Sequence, residues 1–138
     1  MIKILILCTG NSCRSQMAEG LLTSFSNNIQ VCSAGTNPET VNSFAIEAMS
    51  DIGIDISNNT SNHVDEYTHI DFDYVFTVCD NAKEICPIFP KVKHMIHHSF
   101  IDPADARGTY SQQLEVYIKV REQLSVYFKN FVENHLDK

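Results

Sequence analysis

Ile2-Lys3-Ile4-Leu5-Ile6-Leu7 opens the chain as a nearly continuous apolar run. A half-exposed strand would alternate, so this pattern predicts a parallel strand buried on both faces. After a short polar turn, Met17, Leu21, Leu22 and Phe25 recur at i, i+4, i+5 and i+8, one face of a helix over about 13–26 that Asn27-Asn28 ends. Ile29–Ala34 reads as a second short strand closing at the turn cluster Gly35-Thr36-Asn37-Pro38. A strand–helix–strand unit of this length implies a right-handed crossover and parallel pairing.

A second helix is expected from Asn42 or Ser43 through Ile52, with Phe44, Ala45, Ala48, Met49 and Ile52 on its apolar face and Gly53 as its stop. Ser57–Asn62 is polar loop, and His63–Tyr67 a short helix capped by Asn62. Phe72–Cys79, rich in β-branched and aromatic residues, is the third strand. Residues 80–93 form a loop with Cys86-Pro87 and Pro90, and His94–Ser99 is a fourth strand. Another loop, Ile101–Gly108, precedes one long helix from about Ser111 to Leu136, in which Leu114, Tyr117, Val120, Leu124, Phe128 and Phe131 recur at helical spacing. The order β-α-β-α-β-β-α predicts a single α/β domain over residues 1–138: a three-layer sandwich whose four-stranded, mostly parallel sheet carries helices on both faces.

Composition narrows the function. A chain of 138 residues, 43% of them apolar, has enough material for one real core. The net charge of −7 argues against nucleic acid or an anionic membrane as partner. The opening run is too short for a signal-peptide core or a membrane span, and the cysteines are odd in number, five. Reduced thiols in the cytoplasm are therefore expected rather than a disulfide framework.

The candidate chemistry lies between the first strand and the first helix, in Cys8-Thr9-Gly10-Asn11-Ser12-Cys13-Arg14-Ser15. The first N–H groups of a helix lack intrahelical partners and carry positive partial charge, so such a turn forms an anion cradle. A thiol at its centre should have its pKa lowered from about 8.5 towards roughly 3.5–7.5, which makes Cys8 a candidate nucleophile. Arg14, six residues on, can return its fork of donors over the loop to hold two oxygens of a tetrahedral oxyanion. Ser15 is placed to donate to the Cys8 sulfur, and Gly10 and Asn11 are residue types that tolerate positive φ. The backbone of Thr9, Gly10, Asn11, Ser12 and Cys13 would line the cradle. His94, His97 and His98 have no Cys or carboxylate at zinc spacing, and strand alternation separates 97 from 98. They are read as rim residues, with no metal site.

Cys8 to Gly20 resembles the phosphate-binding loop of the low-molecular-weight tyrosine phosphatase superfamily, and within it the thioredoxin-coupled arsenate reductases. The likeness continues in Ser33-Ala34-Gly35, Ala45-Ile46-Glu47-Ala48-Met49, Ile54-Asp55-Ile56-Ser57-Asn58, Cys79, Cys86-Pro87 and Asp102-Pro103-Ala104. The resemblance implies a relay. The Cys8 thiolate attacks arsenate held by the loop and Arg14, and Asp102 protonates the leaving oxygen. Cys79 attacks Cys8 and releases arsenite, and Cys86 then takes up a disulfide with Cys79 for thioredoxin to reduce. Spacing is compatible with this, because Cys79 and Cys86 are joined by a Pro-flanked loop and can reach disulfide separation. Without Cys86, Cys79 would read as core filler, and without the cradle Asp102-Pro103 would be an ordinary turn.

The resemblance also implies a potassium ion beside the loop, held by residues matching Asn11, Glu19 and Ser33 and by an Asp where this chain has Asn62. Bracing of the loop by hydrogen bonds is the competing expectation. Cys13 is read as structural apart from its backbone, and Cys32 as a buried strand residue. Phosphate and sulfate should compete as oxyanions. Hydrolysis of aryl phosphates such as phosphotyrosine is the alternative reaction. The phosphatases, however, carry aromatics just after the Asp-Pro pair, where this chain has Ala104 and Asp105, and they lack the paired cysteines. Electrons from glutathione and glutaredoxin are a further alternative. A non-catalytic oxyanion sensor is disfavoured by the complete set of nucleophile, Arg14 and acid.

Overall fold

The computed structural model describes residues 1–80, 89 and 92–136. Strand β1 (Ile2–Cys8) lies inside the sheet, between β2 (Ile29–Gly35) and β3 (Phe72–Thr77), and β4 (Val92–His97) pairs with β3. All of these pairings are parallel, in the order β2-β1-β3-β4. The register places Leu7 opposite Ala34 and Thr77, so these strands end together at one carboxyl edge.

Residues 4–8 are all buried, because β1 has a neighbour on each side and a layer on each face. Ile4, Ile6 and Cys8 face the core shared with helices α1 (Arg14–Phe25), α2 (Ser43–Ser50) and α3 (Tyr110–Phe131). Phe76 of β3 meets Phe128 and Phe131 of α3 edge-on, with ring centroids 5.0 and 4.8 Å apart. Leu5, Leu7, Ala34 and Val75 point the other way and pack with Val64, Phe72 and Phe89. Among the described residues the layer on that second face is supplied by the 3-10 turn Val64–Tyr67 and its neighbours. Burying each large apolar side chain contributes about 1.5–3 kcal/mol, so both cores hold β1, and with it Cys8, in place.

Several boundaries move from their expected places for local reasons. Helix α3 starts one residue early because Thr109 caps it: its Oγ1 accepts the Gln112 N–H at 3.2 Å while Gln112 Oε1 accepts the Thr109 N–H at 2.9 Å. It ends at Phe131, and a π turn carries Val132–Leu136. Asn42 caps α2, accepting from Phe44 N at 2.8 Å. That helix stops at Ser50 through Gly53 at φ +78°, which lets Ile54 N–H reach Met49 O at 3.0 Å. Ile52 therefore leaves the helical face and is exposed. The 3-10 turn is capped by His63, whose Nδ1 accepts from Asp65 N at 3.0 Å, and not by Asn62. Strand β3 stops at Thr77, and β4 spans Val92–His97 rather than 94–99.

Candidate active site

Cys8 is the last residue of β1, and six residues later Arg14 is the first of α1. The loop between them is set by where its carbonyls go. Thr9 O accepts Asn37 N at 2.9 Å, Gly10 O accepts Glu39 N at 2.8 Å, and Ser12 O accepts Asn42 N at 2.9 Å. Asn11 O accepts the Ser61 hydroxyl at 2.8 Å and Gln16 Nε2 at 3.1 Å. In a trans peptide the C=O and the following N–H point in opposite directions, and the chain has no cis bond among its described residues. Four successive carbonyls held outward thus turn the N–H groups of residues 10–13 towards the interior of the loop. Asn11 alone in this loop adopts positive φ, at +48°, while Gly10 does not use that freedom. Gly35 is needed for closeness instead: a Cβ there would collide with Thr9 O and come within 3.0 Å of Asn11 N and Cys8 O.

Beneath this loop is a cavity of about 130 Å³ lined by Cys8, Cys13, Arg14 and Asp102 and rimmed by Asn37, Glu39 and Ala104. Cys8 and Arg14 are buried, at 2% exposure each. Arg14 is oriented from the far side of the fold: its Nη1 donates to Phe100 O at 3.1 Å, and its Nη2 lies 3.5 Å from Asp102 Oδ2. Asp102 also caps the 3-10 turn Pro103–Asp105, accepting from Ala104 N at 3.0 Å. The Cys13 thiol donates to Asp102 Oδ1 at 3.6 Å. Burial, then the Asp102 and Cys8 charges, push the Cys13 thiol up to about 12, so it stays protonated at neutral pH. The Cys13 side chain lines the cavity and meets the Asp102 carboxylate, which is compatible with the structural role expected of it.

The buried Ser15 accepts from Asn11 Nδ2 at 2.8 Å. Asn11 Oδ1 takes the Asn62 backbone N–H at 2.9 Å, which fixes the amide so that Nδ2 faces Ser15 and Ser33, the latter at 2.9 Å. Ser33 in turn donates to Glu19 Oε1 at 2.9 Å, and Asn59 Nδ2 to Glu19 Oε2 at 3.1 Å. Burial raises the Glu19 pKa, and the Ser33 hydrogen bond opposes that rise. The Asn62 side chain turns away, donating to Glu66 Oε1 at 3.2 Å.

Cys79 follows β3 at the same sheet edge as Cys8, because Val78 N donates to Leu7 O at 3.0 Å. It is buried and disulfide-bonded, whereas Cys8, Cys13 and Cys32 are thiols. Cys86 lies outside the described residues. Sequence reasoning missed Phe100, whose contribution is a backbone carbonyl, and the segment of residues 37–42 that pins the loop; only the Asn42 cap signalled the latter. A wider groove of about 720 Å³, lined by residues that include His98, Ser99, Phe100, Lys119, Glu122 and Tyr127, contains no cysteine. Among the described residues no His, Cys, Asp or Glu group is arranged to hold a metal.

A thiol beneath a ring of inward N–H groups, with a guanidinium and a carboxylate beside it, defines a cysteine-based oxyanion site on a three-layer α/β fold. The profile of the family described as low molecular weight phosphotyrosine protein phosphatase matches residues 3–138, and the chain belongs to that family. It is 43% identical over 131 residues to the arsenate reductase of Halalkalibacterium halodurans, covering 94% of each chain. Its fold matches a solved arsenate reductase in the oxidized state with a TM-score of 0.81 at 30% identity, covering 96% of this chain and 98% of the other. An arsenate reductase solved in the phosphate binding state gives 0.77 at 31% identity, with the same coverage.

Proposed function

We propose that this protein reduces arsenate to arsenite by a thiol relay through Cys8, Cys79 and Cys86, and that thioredoxin in the cytoplasm recycles it. The observation that most supports a reductase over a hydrolase is Cys79. It is disulfide-bonded at the same strand edge as Cys8, where a phosphatase has no need of a second redox thiol.

In this reading the loop N–H groups and Arg14 hold three arsenate oxygens, with the Ser15 hydroxyl donating to the Cys8 thiolate. The thiolate forms the S–As bond, and the displaced oxygen leaves as water with a proton from Asp102. The Cys79 thiolate attacks the Cys8 sulfur: the S–S bond forms, the S–As bond breaks, and its electron pair stays on arsenic, now arsenite. Cys86 displaces Cys8 from Cys79, and the resulting Cys79–Cys86 disulfide passes to the dithiol of thioredoxin. The sulfurs supply the two electrons, so no bound cofactor takes part.

Asn11, Ser33 and Glu19 act in this reading as a hydrogen-bonded brace for the loop. A potassium ion takes oxygen ligands, whereas here Asn11 presents its N–H and both Glu19 oxygens already accept. The melting midpoint should be the same, within a degree or so, in potassium and sodium chloride at equal ionic strength. A selective rise in potassium would count against the brace.

The reaction is tested by arsenate-dependent NADPH oxidation with thioredoxin and thioredoxin reductase. Turnover is expected, and Cys79→Ser should abolish it. Hydrolysis of an aryl phosphate surviving that substitution, with no arsenate turnover in either protein, would favour the phosphatase.

A further inference from the structure

The cavity sets an electrostatic puzzle. A site for a dianion is walled by one guanidinium, Arg14, but also by two carboxylates, Asp102 and Glu39. Asp102 has a task in the reaction, while Glu39 has none. Its backbone is nevertheless fixed: its N–H bonds Gly10 O at 2.8 Å, and its carbonyl shares the Ser61 hydroxyl proton with Asn11 O. Its side chain lies over the loop, with Oε2 3.6 Å from where a Cβ on Gly10 would sit.

We propose that Glu39 is a specificity-determining residue that turns the site away from aryl phosphate esters and towards small inorganic oxyanions, a proposal resting on the oxyanion reading of the same cavity. A cavity of about 150 Å³ takes a single benzene ring and nothing more. A cavity of about 130 Å³ accommodates a tetrahedral oxyanion but not an aromatic ring as well. With the non-bridging oxygens held by the loop, the ring of an ester must emerge at the mouth, whose rim is Asn37, Glu39 and Ala104. The rim offers that ring no aromatic partner. The face of an aromatic ring is electronegative, so contact with a carboxylate is repulsive, and the ring also strips water from the charge. Arsenate has no substituent and leaves Glu39 hydrated.

The test compares the wild-type protein with Glu39→Gln, using p-nitrophenyl phosphate as substrate and inorganic phosphate as competitive inhibitor. Loss of the charge should tighten any anion, and the phosphate Ki measures that common part. Beyond it, kcat/KM for the ester should rise about five- to ten-fold, the scale of a charge acting across a half-solvated rim. Glu39→Lys should raise it at least as far, because an ammonium is attracted to the ring face. Ester activity that changes only in step with the phosphate Ki in both variants would overturn the role of Glu39. Failure of phosphate to inhibit the wild type would overturn the cavity reading beneath it.

Discussion

Cys8→Ser should release no arsenite even in a single turnover and lose about 10⁴-fold or more of its multiple-turnover rate, the scale seen when a nucleophile is removed. The serine is nearly isosteric, and position 8 is a buried strand end whose packing needs no sulfur chemistry, so the melting midpoint should hold within a few degrees. Oxygen fails here for two reasons. A hydroxyl beside the same N–H groups remains overwhelmingly protonated at neutral pH, and an O–As linkage gives Cys79 no sulfur on which to form a disulfide. Phosphate should still bind, because the loop and Arg14 are intact. Arsenite production by this variant, measured by anion-exchange chromatography, would remove Cys8 from the chemistry.

Arg14→Lys should lower kcat/KM for arsenate by about 10²- to 10³-fold, the range for losing one preorganised donor to developing charge. The guanidinium is held on two sides, by Phe100 O at 3.1 Å and Asp102 Oδ2 at 3.5 Å, and Arg14 lines the cavity. An ammonium keeps the charge but cannot reach the carbonyl, the carboxylate and two oxyanion oxygens in one geometry. The loss should fall on kcat as well as KM, and the phosphate Ki should rise in parallel. A drop below about three-fold would show that charge alone suffices and that the fork geometry is idle.

The chain announces its chemistry more openly than the support for that chemistry. The apolar run before Cys8, the Cys-x5-Arg-Ser spacing and the Gly-Asn pair are local signals, and the strand, loop and helix form where they indicate. The long stripe of α3 is equally local. The support is not legible in the same way, because it is made by distant backbone atoms whose side chains carry no information about it. Phe100 contributes a carbonyl to Arg14, Gly35 contributes the absence of a Cβ against Thr9 O, and Asn37 and Glu39 contribute N–H groups to the loop. The cap at His63 was hidden for another reason: imidazole Nδ1 does the work usually given to Asn, Asp, Ser or Thr. That the Cys13 thiol meets Asp102 is set by the curvature of the loop, which the residue types alone do not announce.

The most direct measurement is arsenite formed by fully reduced protein mixed with excess arsenate and no external reductant. The relay predicts one arsenite per chain and the loss of two titratable thiols, with Cys79→Ser forming none. No arsenite from the wild type, together with steady hydrolysis of p-nitrophenyl phosphate by both proteins, would contradict the account and leave a phosphatase in its place.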